Sequence, residues 1–405
     1  MMTAVKRLAT IAIVVCAWPH QLAAQIPPPS DEPAPIQVGP LGLYPTVALR
    51  DVGVDSNVFN EAVDPKEDFT YTVNLRLVAA LRARAARLSG SVVENFVYFN
   101  KYKDEQSVNG AYGLRLDLTA GRFRPFASAD HAKTRERPSP EIDTRARRTE
   151  QAASAGLDVE LTGMTALTAS VRRAETAYEE GEEFRGVDLA GELNRIGRSA
   201  SFGLKLFVTP FTTLALAAET LQERFPGSHL RDADSIRFVP TLEFSSDAAI
   251  SGRAGAGYRD FKPTNPALPE YRGLVASVGV VYRLRDVTTF NVQASRDVGY
   301  SYDETQPYYL MTDGGVTITQ RVVGPFDLIV SGQRQHLAYR ALGDPVQEAA
   351  GRTDTVSIIG GGLGFRVRQN VRVTLTGERT ERRSTAPGAL GYQRTRLLGS
   401  LALGS

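Results

Sequence analysis

The sequence predicts an all-β protein: a single transmembrane antiparallel up-and-down β-barrel of about 18 strands, within a range of roughly 16 to 20. Three observations lead to this prediction. Apolar and polar residues alternate over long stretches, short turns alternate with longer connections, and no run of about 18 apolar residues follows the N-terminal segment. The last observation excludes helical membrane spans from the mature chain, whereas a barrel strand needs only every second residue to be apolar.

The clearest alternation runs from Tyr271 to Tyr302. Apolar side chains occupy most even positions from Leu274 to Leu284 and again from Phe290 onwards, with small or polar residues between them. Because successive side chains of a strand point to opposite faces, this pattern predicts a hairpin with one apolar face. Each arm has about 13 residues, which at roughly 3.3 Å per residue and a tilt near 40° rise about 30 Å, enough to cross an apolar band about 25 Å tall.

The same pattern continues from Tyr44 to Leu403. Tight turns at Ala120–Gly121, Thr162–Gly163 and Thr209–Thr212 alternate with longer, polar loops. Outer-membrane barrels have short turns on the periplasmic side and longer loops outside, and an even strand number puts both termini in the periplasm. The strand count depends most on residues 179–197, where Val187 to Asn194 could pair as a strand or Val187 to Leu193 could form a short helix.

Three segments are predicted along the chain. Residues 1–25 are a signal peptide, with the charged pair Lys6 and Arg7 before an apolar core that contains Cys16, the only cysteine. The mature chain therefore has no disulfide. Residues 26–40 hold six prolines and are expected to form a periplasmic linker that stays out of the β-ladder. Residues 41–405 are the outer-membrane β-barrel.

The charge balance favours no charged macromolecular partner. The chain has 47 Lys and Arg against 45 Asp and Glu, and without Lys6 and Arg7 the bases number 45. A nucleic-acid-binding protein would show a basic excess or a basic patch. We therefore expect no nucleic acid as a partner.

Signatures of catalysis and metal binding are lacking in the sequence. His131, His229 and His336 are far apart, and no serine lies in a G-x-S-x-G context. The glycine run Gly360–Gly364 lacks the strand–turn–helix setting of a phosphate loop and is expected inside a strand, where glycine marks a bend or a close approach. We expect no enzyme activity, no cofactor and no metal.

Charged residues on the polar strand face are the candidate lumen-lining residues. An 18-stranded barrel is too wide for side chains to fill, so opposed acids and bases in an aqueous lumen would screen solutes by charge and size. A second interpretation is that these charges pair across neighbouring strands and stiffen the wall. The candidates are Arg76, Arg115, Asp117, Asp158, Glu160, Lys205, Glu219, Arg237, Glu243, Arg283, Asp297, Arg372, Glu378, Arg394 and Arg396.

Aromatic residues concentrate near the predicted strand ends. We expect them to form the interfacial girdle that barrels place at headgroup level, although a sugar-stacking track along the pore is an alternative. They are Tyr98, Phe99, Tyr102, Phe225, Phe261, Tyr271, Tyr300, Tyr302, Tyr308, Tyr309, Tyr339 and Tyr392.

The loop after Tyr178 carries four glutamates at positions 179, 180, 182 and 183. Such a loop could bind a divalent cation or fold inward as a constriction. A solvated external loop is the expectation.

Several stretches resemble a known family. They are LYPTVALRDVGVDSNVF (43–59), DPKEDFTYTV (64–73), PALPEYRGLVASVGVVYRL (266–284) and RDVGYSYDETQPYY (296–309). Together they resemble outer-membrane proteins of the "putative beta-barrel porin 2" group, over most of residues 41–403. The resemblance implies a porin-like barrel in the bacterial outer membrane, with some members linked to exopolysaccharide export. It defines no functional residues.

The predicted function is passive passage of small polar solutes or of an exopolysaccharide chain through the lumen. One alternative is a non-conducting barrel that supports exopolysaccharide export or surface attachment, and another is a secreted soluble β protein. The expected partners are outer-membrane lipid, lipopolysaccharide and the barrel-assembly machinery, with polysaccharide export components as a further candidate.

Overall fold

Eighteen antiparallel strands pair in chain order and close into one barrel in the computed structural model, which describes residues 34–246, 248–342, 351–368, 370–386 and 390–404. Closure joins the first strand to the last, from Thr46 beside Gly404 to Asp55 beside Arg396. The predicted fold class is confirmed. The signal peptide predicted for residues 1–25, like residues 26–33 of the linker, lies outside the described residues.

The strands have 12 to 17 residues apart from one that is split in two. They are β1 (Leu41–Asp55), β2 (Asp68–Arg82), β3 (Ala86–Phe99), β4 (Ser107–Leu118), β5 (Phe123–Glu136), β6 (Ala146–Thr162), β7 (Thr165–Tyr178), β8 (Arg195–Thr209), β9 (Thr212–Arg224), β10 (Ala233–Phe238 and Thr241–Phe244), β11 (Ile250–Pro263), β12 (Tyr271–Leu284), β13 (Thr288–Tyr300), β14 (Tyr308–Val323), β15 (Phe326–Arg340), β16 (Thr353–Arg368), β17 (Val371–Ser384) and β18 (Tyr392–Gly404).

The two ends of the barrel differ in their connections. At the turn end, strands are joined by short turns, and β1 begins and β18 ends there. At the loop end, the connections include residues 56–67, 137–145, 179–194 and 225–232. In outer-membrane barrels the short turns face the periplasm, so the loop end faces the outside of the cell.

Alternation of side chains separates an outer face from an inner face. On β15, Leu328 and Val330 are exposed, whereas Leu337 and Tyr339 on the other face are buried. We call the strand face opposite the exposed apolar side chains the inner face. The outer apolar side chains form the band that meets lipid, as the period of two in the sequence predicts.

Two backbone features follow from local chemistry. The predicted hairpin turns at Arg285 and Asp286, which have φ of 51° and 55°, and Val287 N–H donates to the Leu284 carbonyl at 3.2 Å. Positive φ at both central positions is the type I′ geometry, whose twist matches that of paired strands. Strand β10 is interrupted at Pro240, which has no N–H to donate to the ladder.

One expectation about the linker is wrong. Ile36–Val38 forms a short strand that pairs with Leu41–Leu43 at the turn end, although the whole segment 26–40 was expected to stay out of the β-ladder. Proline cannot donate to a β-ladder because it lacks a backbone N–H, but none of these three residues is a proline, so each can pair.

Within the described residues, no helix is long and apolar enough to cross a membrane. Residues 179–194 contain a two-stranded hairpin (Glu183–Phe184 with Val187–Asp188) and a helix, α1 (Leu189–Leu193). Asp188 caps the helix by accepting from the N–H groups of Ala190 and Gly191. The short helix considered for Val187 to Leu193 is thus present only from Leu189 onwards, because Val187 and Asp188 belong to the small hairpin, and the loop adds no strand to the barrel.

Candidate functional site

The connection between β5 and β6, residues 137–145, crosses the loop-end mouth of the barrel. We call it the crossing loop. Its Glu141 carboxylate accepts from Ser301 Oγ at 2.8 Å and lies 3.4 Å from Arg352 Nη1. Ser301 precedes β14 and Arg352 precedes β16, roughly opposite β5 and β6 on the ring of 18 strands. The crossing loop therefore spans the mouth and narrows it.

Arg382 fixes the tip of the crossing loop to the far wall. This arginine, on β17, is buried, donates to the Glu141 carbonyl at 3.1 Å and pairs with Asp143. Its other terminal nitrogen lies 2.8 Å from Asp354 Oδ2, which also accepts from Arg352 at 2.6 Å. Buried ions are tolerated only when they are paired and hydrogen-bonded, so these groups depend on one another.

The base of the crossing loop is held by the neighbouring β1–β2 connection. Arg137 and Arg145 both donate to the Val58 carbonyl, at 2.7 and 3.1 Å. Asn60 donates to Asp143 at 3.1 Å. Both ends of the crossing loop are therefore bonded to groups outside it.

Burial in this network shifts the pKa values of the loop groups. Burial raises the pKa of Glu141 to about 7, a rise that Arg352 opposes but does not cancel. Burial likewise lowers the pKa of Arg137 to about 9. Burial alone would lower the pKa of Arg352, but its hydrogen bond to Asp354 and the nearby charges of Asp354 and Glu141 together outweigh this and leave the pKa raised. The Glu141 carboxyl group thus titrates near neutral pH beside a permanent cation.

A cluster of apolar and aromatic side chains fills the mouth beside the crossing loop. Ile142 of the crossing loop is buried in this cluster together with Leu189 and Leu193 of α1. Phe225 stacks edge-on against Tyr300 with ring centroids 4.6 Å apart. Loops of at least four hairpins therefore share one small core at the loop end.

The expected aromatic girdle is wrong for most of the rings proposed for it. Eight are at most 8% exposed: Phe99, Phe225, Phe261, Tyr300, Tyr302, Tyr308, Tyr309 and Tyr339. A ring so deeply buried can meet neither a lipid headgroup nor a sugar in a track. The loops fold inward, and burying a large ring against them removes more apolar surface from water than an interfacial position would.

Arg231 joins three of the loops that fold inward over the loop-end mouth, which we call the cover. Its side chain is buried and donates to the Ser301 and Tyr302 carbonyls at 2.8 and 3.1 Å. It also pairs with Glu192 of α1. Residues 179–194 are therefore part of the inward cover at their helix.

The glutamates of this loop do not assemble a cation site within the described residues, where no group of metal-binding side chains occurs. Glu179 pairs with Lys133 at 2.9 Å and Glu182 with Arg147 at 3.2 Å. Neighbouring strands and their ends thus supply the cations for these carboxylates.

The charged residues singled out from the sequence lie on the inner face as defined above. Twelve of them form ion pairs, several with one another: Arg115 with Asp117 (2.7 Å), Lys205 with Asp158 (2.7 Å), Arg237 with Glu219, Arg396 with Glu378 (2.6 Å), Arg394 with Asp55, Arg372 with Asp327 (3.0 Å), Asp297 with Arg259 (2.6 Å) and Glu160 with Arg124 (2.5 Å). Arg76, Glu243 and Arg283 form no ion pair with a described residue. That the fifteen line a route for solutes stays a prediction.

The inner face is unevenly charged near the turn end. Among the described residues within six positions of the strand ends there, the inner face carries eleven basic side chains and five acidic ones. The bases are Arg76, Arg82, Arg87, Arg115, Arg124, Lys205, Arg253, Arg283, Arg321, Arg366 and Arg372, and the acids are Asp117, Asp158, Glu160, Glu243 and Asp327.

Sequence reasoning did not single out Glu141, Arg352, Asp354 or Arg382. Arg382 has the same strand parity as Arg372 and Glu378, so alternation could have found it. Glu141 lies in a loop, where no period indicates which way a side chain points.

A closed barrel with an apolar outer band, a charged inner face and an inward loop defines a porin-type protein of the bacterial outer membrane. The chain belongs to the family described as "Putative beta-barrel porin 2", whose model matches residues 28–403.

The chain is also similar in fold to several solved outer-membrane proteins. The outer membrane protein opdK from Pseudomonas aeruginosa is 9% identical, over 90% of this chain and 99% of that one, with a TM-score of 0.45. A BenF-like porin from Pseudomonas fluorescens Pf-5 is 11% identical over the same shares, with a TM-score of 0.47. Among curated proteins, none matches the sequence.

Proposed function

We propose that this barrel is a passive pore for small polar solutes or for an exopolysaccharide chain. The observation that carries the proposal is the charged inner face of a closed 18-stranded barrel. Barrels of 16 to 18 strands leave an aqueous channel because their side chains cannot meet across the lumen. In this proposal the crossing loop sets the size limit at the loop end, and the net charge of the inner face sets the charge preference.

The test is conductance of the purified protein in planar bilayers. A pore gives discrete steps in KCl, and replacing residues 138–144 of the crossing loop with a short Gly/Ser linker should enlarge the steps. Heat-modifiable migration on gels checks that both proteins are folded. If neither protein conducts, the pore proposal fails.

A second candidate is a non-conducting barrel that supports exopolysaccharide export or surface attachment. The observation that favours it is the packed cover at the loop end, where buried rings and ion pairs join several loops. This candidate predicts no conductance in the protein with its natural loop, and co-purification with polysaccharide or with export components. In either case the outer band would contact lipid and lipopolysaccharide, and the barrel-assembly machinery would insert the chain.

A further inference from the structure

At the turn end, two arginines pair with one buried carboxylate and a third stands opposite it in the neighbouring strand. Asp327, on β15, is buried and lies 3.2 Å from Arg366 Nε and 3.0 Å from Arg372 Nη2. Arg321 stands directly opposite Asp327 in the β14–β15 register. One negative charge thus faces three positive ones, contributed by three different strands.

The strand register places two of these arginines directly beside each other. Arg366 and Arg372 stand directly opposite each other on β16 and β17, and like charges in such a position repel. Room for both comes from Gly364, where an added Cβ would lie 2.9 Å from Arg372 Nη2. Gly364, the last glycine of the run Gly360–Gly364, thus leaves space for the Arg372 guanidinium because it has no side chain.

The hydrogen-bonding capacity of these arginines is not used up. A guanidinium has five N–H donors, and a carboxylate has about four acceptor positions. Arg372 Nε is buried without a hydrogen-bond acceptor within the described residues, and Arg372 Nη2 lies 3.0 Å from Asp327 Oδ2 but is poorly aligned for a hydrogen bond with it. Arg321 forms no ion pair with a described residue, although it stands opposite Asp327 in the register. At the loop end, by contrast, Arg382 is matched by Asp143 and Asp354.

An oxyanion would satisfy what Asp327 leaves unsatisfied. Carboxylate and phosphate groups accept paired, charge-assisted hydrogen bonds from guanidinium groups. The surrounding inner face adds to the attraction, because bases outnumber acids throughout the turn end. A mouth lined by one sign of charge concentrates ions of the opposite sign.

We propose that the turn-end mouth is selective for anions and that Arg321, Arg366 and Arg372 bind the carboxylate or phosphate group of the passing solute. This inference rests on the proposed function as a pore. It narrows the small polar solutes to anionic ones.

The first test is the reversal potential of the full-length protein across a KCl gradient. The wild-type pore should pass chloride over potassium by about threefold or more. Arg321→Gln should reduce that ratio about twofold, and Arg321→Glu should reduce it further. The matched control is Arg383→Glu on the outer face of β17, which makes the same change of charge outside the lumen and should leave the ratio unchanged.

Binding of inorganic phosphate gives a second readout that needs no conductance. Phosphate should raise the temperature at which the barrel loses its folded gel mobility, and the shift should be lost in Arg321→Gln and kept in Arg383→Glu. A barrel without conductance overturns the pore, and the phosphate shift then decides the binding site by itself. A pore that prefers cations, a ratio unaffected by Arg321→Glu, or a phosphate shift equal in all variants overturns the inference.

Discussion

The two mouths of the barrel are built on opposite principles. At the loop end, charged side chains are buried, paired with opposite charges and hydrogen-bonded across the opening. Arg382, for example, pairs with Asp354 and donates to the Glu141 carbonyl. At the turn end, bases outnumber acids: Arg366 and Arg372 share Asp327, and Arg321 stands opposite it in the neighbouring strand. The charged side chains of the loop end hold loops in place, whereas the excess of basic side chains at the turn end gives the lumen a positive potential.

This difference separates the determinants of size from the determinants of charge. Matched buried pairs contribute fixed geometry and little long-range field, because opposite charges close together cancel at a distance. An excess of basic over acidic side chains contributes a long-range field and little fixed geometry. Changes at the loop end should therefore alter how often the mouth opens, and changes at the turn end should alter which ions enter.

Arg382→Ala is expected to have the largest effect. It leaves Asp354 and Asp143 without their shared partner, and breaking a buried pair costs about 3–5 kcal/mol. Hydrogen exchange of residues 137–145 should become much faster, while the chloride-to-potassium ratio should not change. Arg383→Ala, at an exposed neighbouring position, is the control. Equal exchange in both variants would contradict the role given to Arg382.

Glu141 should make attachment of the crossing loop depend on pH. Its pKa is about 7 in place, against 4.5 for an ordinary glutamate, so the attached loop holds the proton more tightly than the released loop. Attachment is then strongest in acid and weakens as the pH rises from about 4.5 to about 7, with no further change above. Arg352 stays charged throughout, because its own pKa is raised.

The expected change is an increase in loop opening on the order of a hundredfold across that interval. Hydrogen exchange, corrected for its intrinsic pH dependence, measures it. Glu141→Gln should remove the dependence, because an amide does not titrate in this range. A pH profile that persists in Glu141→Gln would assign the effect to another group.

Ile142→Ala tests the apolar part of the loop-end cover. Removing this buried side chain leaves a cavity in the aromatic cluster and should cost about 2–4 kcal/mol. A lower temperature for the loss of folded gel mobility and faster exchange in α1 are the measurements. Ile359→Ala on the outer face, where the side chain is exposed, should have a smaller effect.

Asp327→Asn sharpens the comparison from the turn end and has the smallest expected effect. Removing the one carboxylate among three arginines should raise the chloride-to-potassium ratio about twofold. Exchange in the crossing loop should stay as in the wild type. A ratio that falls would mean that Asp327 orders the arginines more than it neutralises them.

Much of the barrel could be predicted from residue patterns. The alternation around Val278, Val280 and Val292 correctly predicts paired strands, and tight turns such as Thr162–Gly163 mark the strand ends. The fifteen charged candidates follow from the same parity. Arg382 follows that parity too, but its role depends on partners that lie far away in the chain.

The aromatic residues show where pattern reasoning fails. Phe225 and Tyr300 lie at strand ends, as a girdle would require, yet both are buried under inward loops. A strand end looks the same in sequence whether the following loop leaves the barrel or turns into it. Loop direction is decided by packing against other loops, which no local period records.

The sequence by itself determined the strands, their faces and the closed barrel, because a side-chain period of two must bury or expose whole faces together. Only the tertiary structure decided what lies across the mouth. Glu141 meets Arg352 over a separation of 211 residues, and Asp143 meets Arg382 over 239. Such contacts depend on the closure of all 18 strands, which brings opposite walls within reach of one loop.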